Sequence, residues 1–134
     1  MSLYVDSSAL LKRYVDEPDS AACEAVLRSD PELLSGRHTV VEVRRNLARL
    51  LAGADLAAAK SSFAADLESI SLVELDATTC ETAAAIAEVT GSRTLDALHL
   101  AAAQRVGGTA LPFVTYDVRQ AQAARSLGFT VLGT

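Results

Sequence analysis

The sequence predicts an α/β fold, a three-layer α/β/α sandwich around a central, mainly parallel sheet. Short apolar runs alternate with helical patterns along all 134 residues, and strands separated by helices pair in parallel through right-handed crossovers. Two of the runs, Leu3-Tyr4-Val5 and Pro112-Phe113-Val114-Thr115-Tyr116, end abruptly in an aspartate from which a helix departs. The stretch from Thr94 to Ala103 is apolar almost all round, as in a helix buried within a domain.

In chain order, Leu3-Tyr4-Val5 is a buried strand, and Ser7 or Ser8 is expected to cap the helix behind it, Ala9 to Tyr14. Asp16-Glu17-Pro18-Asp19-Ser20 breaks that pattern, and a second helix covers Ala21 to Arg28. Ser29-Asp30-Pro31 makes a turn before a brief strand, Leu33-Leu34-Ser35. Thr39 to Leu51 is the first long helix, with Val40, Val43, Leu47 and Leu50 as its core stripe. Its other face carries Glu42, Arg45, Asn46 and Arg49, and Gly53 is expected to end it.

Ala54 to Ser69 is an alanine-rich helix, and Ile70 to Leu75 has strand character. Asp76, Thr78 and Thr79 open a helix that Gly91 stops near Thr90. The buried helix starts with Thr94 as its expected cap and ends at Gly107-Gly108. After the strand leading to Asp117, a helix over Arg119 to Ser126 and a last strand, Phe129 to Leu132, complete the chain.

A chain of 14.0 kDa is expected to be one domain, residues 1–134, with one real core. With six Phe and Tyr and no Trp, that core must be Leu, Val and Ala. No apolar run approaches a membrane span and the first residues lack the charged region of a signal peptide, so no membrane and a cytoplasmic location are expected. Cys23 and Cys80 have no metal or redox spacing and read as buried small residues. His38 and His99 are too few for a His-rich zinc site. The net charge of −5 counts against a large non-specific nucleic-acid surface, unless acids concentrated in one site take up divalent cations, which reverse the local field. Ten of the twelve basic residues are Arg, the side chain suited to bidentate phosphate contacts.

If the two strands that end in aspartate share one parallel sheet, Asp6 and Asp117 stand on its ligand edge. Asp6 alone reads equally as a helix cap. Asp96, in the first turn of an apolar helix, needs either a partner or a task. Glu42 lies early in its helix, and its neighbours Arg45 and Arg49 read either as solvated partners or as phosphate contacts. Four carboxylates without a histidine cluster make an all-oxygen site, which selects Mg²⁺ or Mn²⁺. Two such ions about 4 Å apart activate a water and stabilise the leaving oxygen of a phosphodiester. Without cations the like charges would raise one another's pKa values.

Tyr4-Val5-Asp6-Ser7-Ser8-Ala9-Leu10, Glu42 in a helix, Thr94-Leu95-Asp96-Ala97-Leu98-His99-Leu100-Ala101 and Thr115-Tyr116-Asp117 together resemble a PIN domain, and more narrowly the VapC toxins of toxin–antitoxin pairs. The resemblance spans essentially the whole chain. It implies that Asp6, Glu42, Asp96 and Asp117 are the acidic quartet binding Mg²⁺ or Mn²⁺, with Asp6 and Asp96 as principal ligands. Thr115 would be the hydroxyl residue that supports the site, and Asp117 matches a last acid that varies within the family and can act through water. The implied activity is endoribonuclease cleavage of structured RNA such as tRNA or rRNA. The implied partners are a second copy, as a homodimer, and a VapB-like antitoxin that places an arginine or other side chain in the acidic site.

Two other readings compete. A phosphatase or receiver domain with a nucleophilic aspartate needs a second aspartate where Ser8 stands, or a late lysine where the only lysines are Lys12 and Lys60. A catalytically inactive PIN-like binding module would keep the fold, and the complete quartet argues against it.

Overall fold

The computed structural model describes residues 2–30 and 32–134, so the part of the expected Ser29-Asp30-Pro31 turn that falls on Pro31 lies outside the described residues. Strands β1 (Ser2–Val5), β2 (Glu32–Gly36), β3 (Ile70–Val73), β4 (Phe113–Thr115) and β5 (Val131–Gly133) form one sheet in the order β3-β2-β1-β4-β5. Every pairing is parallel, including Val5 beside Val114 at the centre. The chain builds outward from β1 to β3, then returns to the other side of β1. The strand order therefore reverses between β1 and β4, where an open α/β sheet forms its ligand crevice.

Alternation along β1 sets the two faces. Leu3 and Val5 pack with Leu10, Leu27, Val43, Leu47 and Phe63 from helices α1 (Ser7–Leu11), α2 (Ser20–Arg28), α3 (Thr39–Leu50) and α4 (Gly53–Leu67). Tyr4 points the other way, into a core with Ile86, Leu100, Phe113 and Phe129 beneath α5 (Ala77–Thr90), α6 (Thr94–Gly107) and α7 (Val118–Ser126). Each fully buried Leu or Phe removes enough apolar surface to stabilise the fold by about 1.5–3 kcal/mol. Ala97 and Ala101 to Ala103 are buried as well, so small side chains let α6 lie close against its neighbours.

Local expectations fail where one residue holds a different post. Gly53, at φ 57°, begins α4 instead of ending α3; Leu51 closes α3 in an extended conformation. Leu50 is 44% exposed and leaves the core stripe at the last residue of α3. Cys23 is buried, its Sγ 3.3 Å from the Ala9 carbonyl oxygen, but Cys80 is exposed. The last strand begins at Val131, two residues later than its apolar run. Gly91 does stop α5, in the left-handed conformation at φ 72°. No helix among the described residues is long and apolar enough to cross a membrane.

Candidate active site

Asp6 and Asp117 follow the adjacent strands β1 and β4 and repeat one local design. Asp6 is itself the N-cap of α1, its Oδ1 accepting from the Ala9 N–H at 3.1 Å. Ser7 and Ser8 are the helix's first residues, not its caps. A carboxylate at the cap leaves Ser8 free to donate to Asp6 Oδ1 at 2.6 Å. Asp117 caps α7 in the same way, with Oδ1 accepting from the N–H groups of Arg119 and Gln120 at 2.9 and 3.2 Å. Thr115 stands between these two turns, fully buried. Its Oγ1 accepts from the Asp117 N–H at 3.1 Å and lies 3.3 Å from Ser8 Oγ, which accepts from the Tyr116 N–H at 3.0 Å.

Asp96 enters from the start of α6. Arg93, in an extended conformation, holds the cap position expected of Thr94, which is already helical and makes no capping bond. The Arg93 guanidinium reaches two acids, with Nε 3.3 Å from Asp96 Oδ2 and Nη2 3.6 Å from Asp117 Oδ2. Gln120 Nε2 donates to the Asp96 carbonyl at 2.9 Å and ties α7 to α6.

Glu42 is held by a network of His99, Tyr4 and His38. His99 Nε2 lies 2.7 Å from Glu42 Oε1, and His99 Nδ1 lies 2.8 Å from the Tyr4 hydroxyl. His38, next to the start of α3, sets its ring 4.0 Å from that of His99 at a tilt of 41° and lies 3.7 Å from Glu42 Oε1. Ligand-capable atoms of His38, Glu42 and His99 fall within 4.8 Å of one another. Both His99 nitrogens already have partners, however, and His38 Nε2 is 3.3 Å from the Leu95 carbonyl oxygen. The trio orients a carboxylate, and the buried His38 Nδ1 has no hydrogen-bond partner among the described residues. A sequence signal did exist: His99 lies three residues after Asp96, on the same face of the helix.

Burial dominates the electrostatics. Asp6 is 3% exposed, and desolvation raises its pKa against the opposing pull of His99 and the hydrogen bonds from Ser8, Thr115 and Ala9. Desolvation also raises Asp96, assisted by the Asp117 charge and opposed by Arg93. Burial pushes Glu42 up too, but the His99 hydrogen bond and charge outweigh it and leave Glu42 below the usual carboxylate range. Burial, then the nearby His99, lowers His38 to about 4.

Asp6, Glu42, Asp96 and Asp117 line one cleft of about 220 Å³, together with Asn46 and Arg93. Thr115 lies behind its wall, and the exposed Arg45 and Arg49 are not part of the lining. Four carboxylates with few cations among them are a donor set fitted to a hard divalent ion, which would relieve the desolvation that raises Asp6 and Asp96 and the Asp117 repulsion that adds to it at Asp96.

Comparison with known proteins agrees with this architecture. A family model for the PIN domain matches residues 3–126. The chain is 34% identical over 131 residues to ribonuclease VapC46 of Mycobacterium tuberculosis, with 98% of this chain and 96% of that protein covered. Among solved structures it resembles VapC20 of Mycobacterium tuberculosis, a sarcin–ricin loop cleaving toxin, with a TM-score of 0.76, 18% identity and 96% of each chain covered. It also resembles a chain of a toxin–antitoxin complex from Klebsiella pneumoniae, with a TM-score of 0.73, 14% identity, and 98% and 96% covered. At those identities the two structures show a shared fold.

Proposed function

This chain belongs to the PIN domain family, and on that premise we propose that residues 1–134 form one metal-dependent endoribonuclease, the toxin of a toxin–antitoxin pair. The observation that carries the reading is the meeting of four carboxylates from four separate elements in one cleft at the reversal point of a parallel sheet. Similarity to a VapC ribonuclease along nearly the whole chain supports RNA as the substrate.

Asp6, Glu42, Asp96 and Asp117 would hold Mg²⁺ or Mn²⁺, which supplies Lewis-acid polarisation of the phosphodiester and a lowered pKa for the attacking water. The chain's own residues do the positioning. Ser8 and the Ala9 N–H fix one oxygen of Asp6, and Thr115 links that turn to Asp117. His99 keeps Glu42 ionised and aimed into the cleft. Arg93 and Asn46 border the cleft with donors suited to non-bridging phosphate oxygens. The acid-rich cleft equally suits an arginine supplied by an antitoxin, which neutralises the carboxylates in place of metal.

The test is direct. Protein stripped with EDTA should leave total RNA intact and cut it once Mg²⁺ or Mn²⁺ is restored. Asp96→Asn should abolish the cutting, and undiminished cleavage by that variant would remove Asp96 from the site. An inactive binding module would show no metal-dependent cleavage of any RNA.

A further inference from the structure

A second hollow, of about 450 Å³, adjoins the acidic cleft and shares Arg93 and Asp96 with it as a common wall. It lies between the turn joining α5 to α6, at Gly91 and Ser92, and the outer face of α7. The volume falls within the usual range of sites for small ligands. Its chemistry is opposite to that of the cleft. Arg119 and Gln122 project from successive turns of α7 into this lining, and Arg93 faces them from the start of α6. Among the described residues Arg119 has no carboxylate within ion-pair distance, so its guanidinium is unspent. Arg93 is shared with Asp96 and Asp117, so in a chain of net charge −5 Arg119 is the cation of this lining that no carboxylate offsets.

The floor is held in place. Gln120, 1% exposed, lines the hollow and clamps α7 to the Asp96 carbonyl through Nε2, and its Oε1 has no hydrogen-bond partner among the described residues. The clamp fixes Arg119, on the preceding residue, relative to Asp96. The opposite flank is built differently. Arg45 and Arg49 stand exposed on α3, Arg49 donates to Asn46 Oδ1 at 3.1 Å, and neither lines the cleft or this hollow.

We propose that this hollow is the subsite for the nucleotide next to the scissile phosphate of an RNA strand, with Arg119 and Arg93 binding the flanking phosphate. The strand then leaves the cleft over α7, on one side only, and Arg45 and Arg49 contribute little to holding it. This inference rests on the ribonuclease reading and adds a direction and a contact residue to it.

The experiment compares Arg119→Ala with the parent chain on a fluorescein-labelled, random-sequence RNA 12-mer. Cleavage is followed in Mg²⁺, and binding is followed by anisotropy in an Asp6→Asn background that spares the RNA. Arg119→Ala should raise KM and the dissociation constant about tenfold, leave kcat within about twofold, and reduce the slope of log affinity against log salt by about one. Arg119→Lys should recover most of the binding, because the charge is kept. Arg45→Ala with Arg49→Ala should change the dissociation constant less than about threefold. If the parent cuts total RNA and Arg119→Ala binds the 12-mer as well as the parent does, or the α3 pair weakens binding as much, the subsite is wrong and the ribonuclease reading stands. If the parent leaves total RNA intact with Mg²⁺ or Mn²⁺, both fall together.

Discussion

Two charged hollows on this molecule look alike in composition and differ in what their charges do. The larger, about 710 Å³, lies between α2 and α4 and is lined by Arg13, Glu24, Arg28, Asp55 and Asp66. There every charge but that of Asp55 has an opposite partner among the described residues. Arg13 grips Glu24 with Nε and Nη2 at 2.9 and 3.0 Å, Arg28 joins the same carboxylate at 2.8 Å, and Tyr14 donates to Asp66 at 2.6 Å. The acidic cleft has under a third of that volume and four carboxylates. The cation reaching into it, Arg93, is 70% exposed and divided between two of them. Volume therefore says nothing about which hollow works. A matched set of charges is a staple between helices, whereas an unmatched set of buried acids requires a cation from outside.

The sharpest way to break this contrast is Asp6→Asn. Activity should fall by about 10²–10³-fold, while the metal-free protein should melt no lower than the parent, and higher if anything. Desolvation raises the Asp6 pKa, so its charged form opposes folding at neutral pH, and asparagine caps a helix as well as aspartate. A drop of several degrees in the melting temperature would place Asp6 among the staples. Next in size is His99→Asn, which should cost about 10–100-fold in metal affinity or turnover by releasing Glu42. Tyr4→Phe should act in the same direction and less, since Tyr4 reaches Glu42 only through His99. Titration of Mn²⁺ into each variant by calorimetry checks both.

The staple should behave in the reverse manner. Arg13→Ala should lower stability by about 1–2 kcal/mol in urea unfolding, with RNA cleavage unchanged. The smallest effect is pH-dependent. His38 is held neutral in the folded chain, near 4, but titrates around 6.5 when unfolded. Protons therefore bind the unfolded state preferentially, and this part of the stability is lost as pH falls through about 6.5, levelling off near 4. Denaturant midpoints measured from pH 7.5 to 5 should decline less steeply for His38→Gln than for the parent.

Much of this architecture was legible because local chemistry repeats. The strand–aspartate–helix pattern at Asp6 and Asp117 needs only apolar runs and a carboxylate at a turn, and the two strands do lie side by side in parallel. Asp96 stood out because an acid is costly in so apolar a helix. The misreadings share one cause. The sequence offers Asp6 as a cap or a cleft residue and Ser7 or Ser8 as the cap, yet one oxygen of the Asp6 carboxylate caps the helix and the residue still borders the cleft. His38 and His99 are too few for a His-rich zinc site, and their sequence positions do not bring the two together at Glu42. Folding brings their rings to 4.0 Å, tilted at 41°, beside Glu42.

The sequence by itself determined the layers, the parallel order implied by alternating strands and helices, and the four acids, because periodicity and unusual polarity are properties of neighbouring residues. Tertiary structure alone decided which charges are spent. Arg13 and Arg93 are both arginines near acids in the chain, but one closes a fork on a carboxylate and the other is shared at an open cleft. That distinction depends on distance, burial and the number of partners, quantities that exist only once helices from opposite ends of the chain are packed on one sheet.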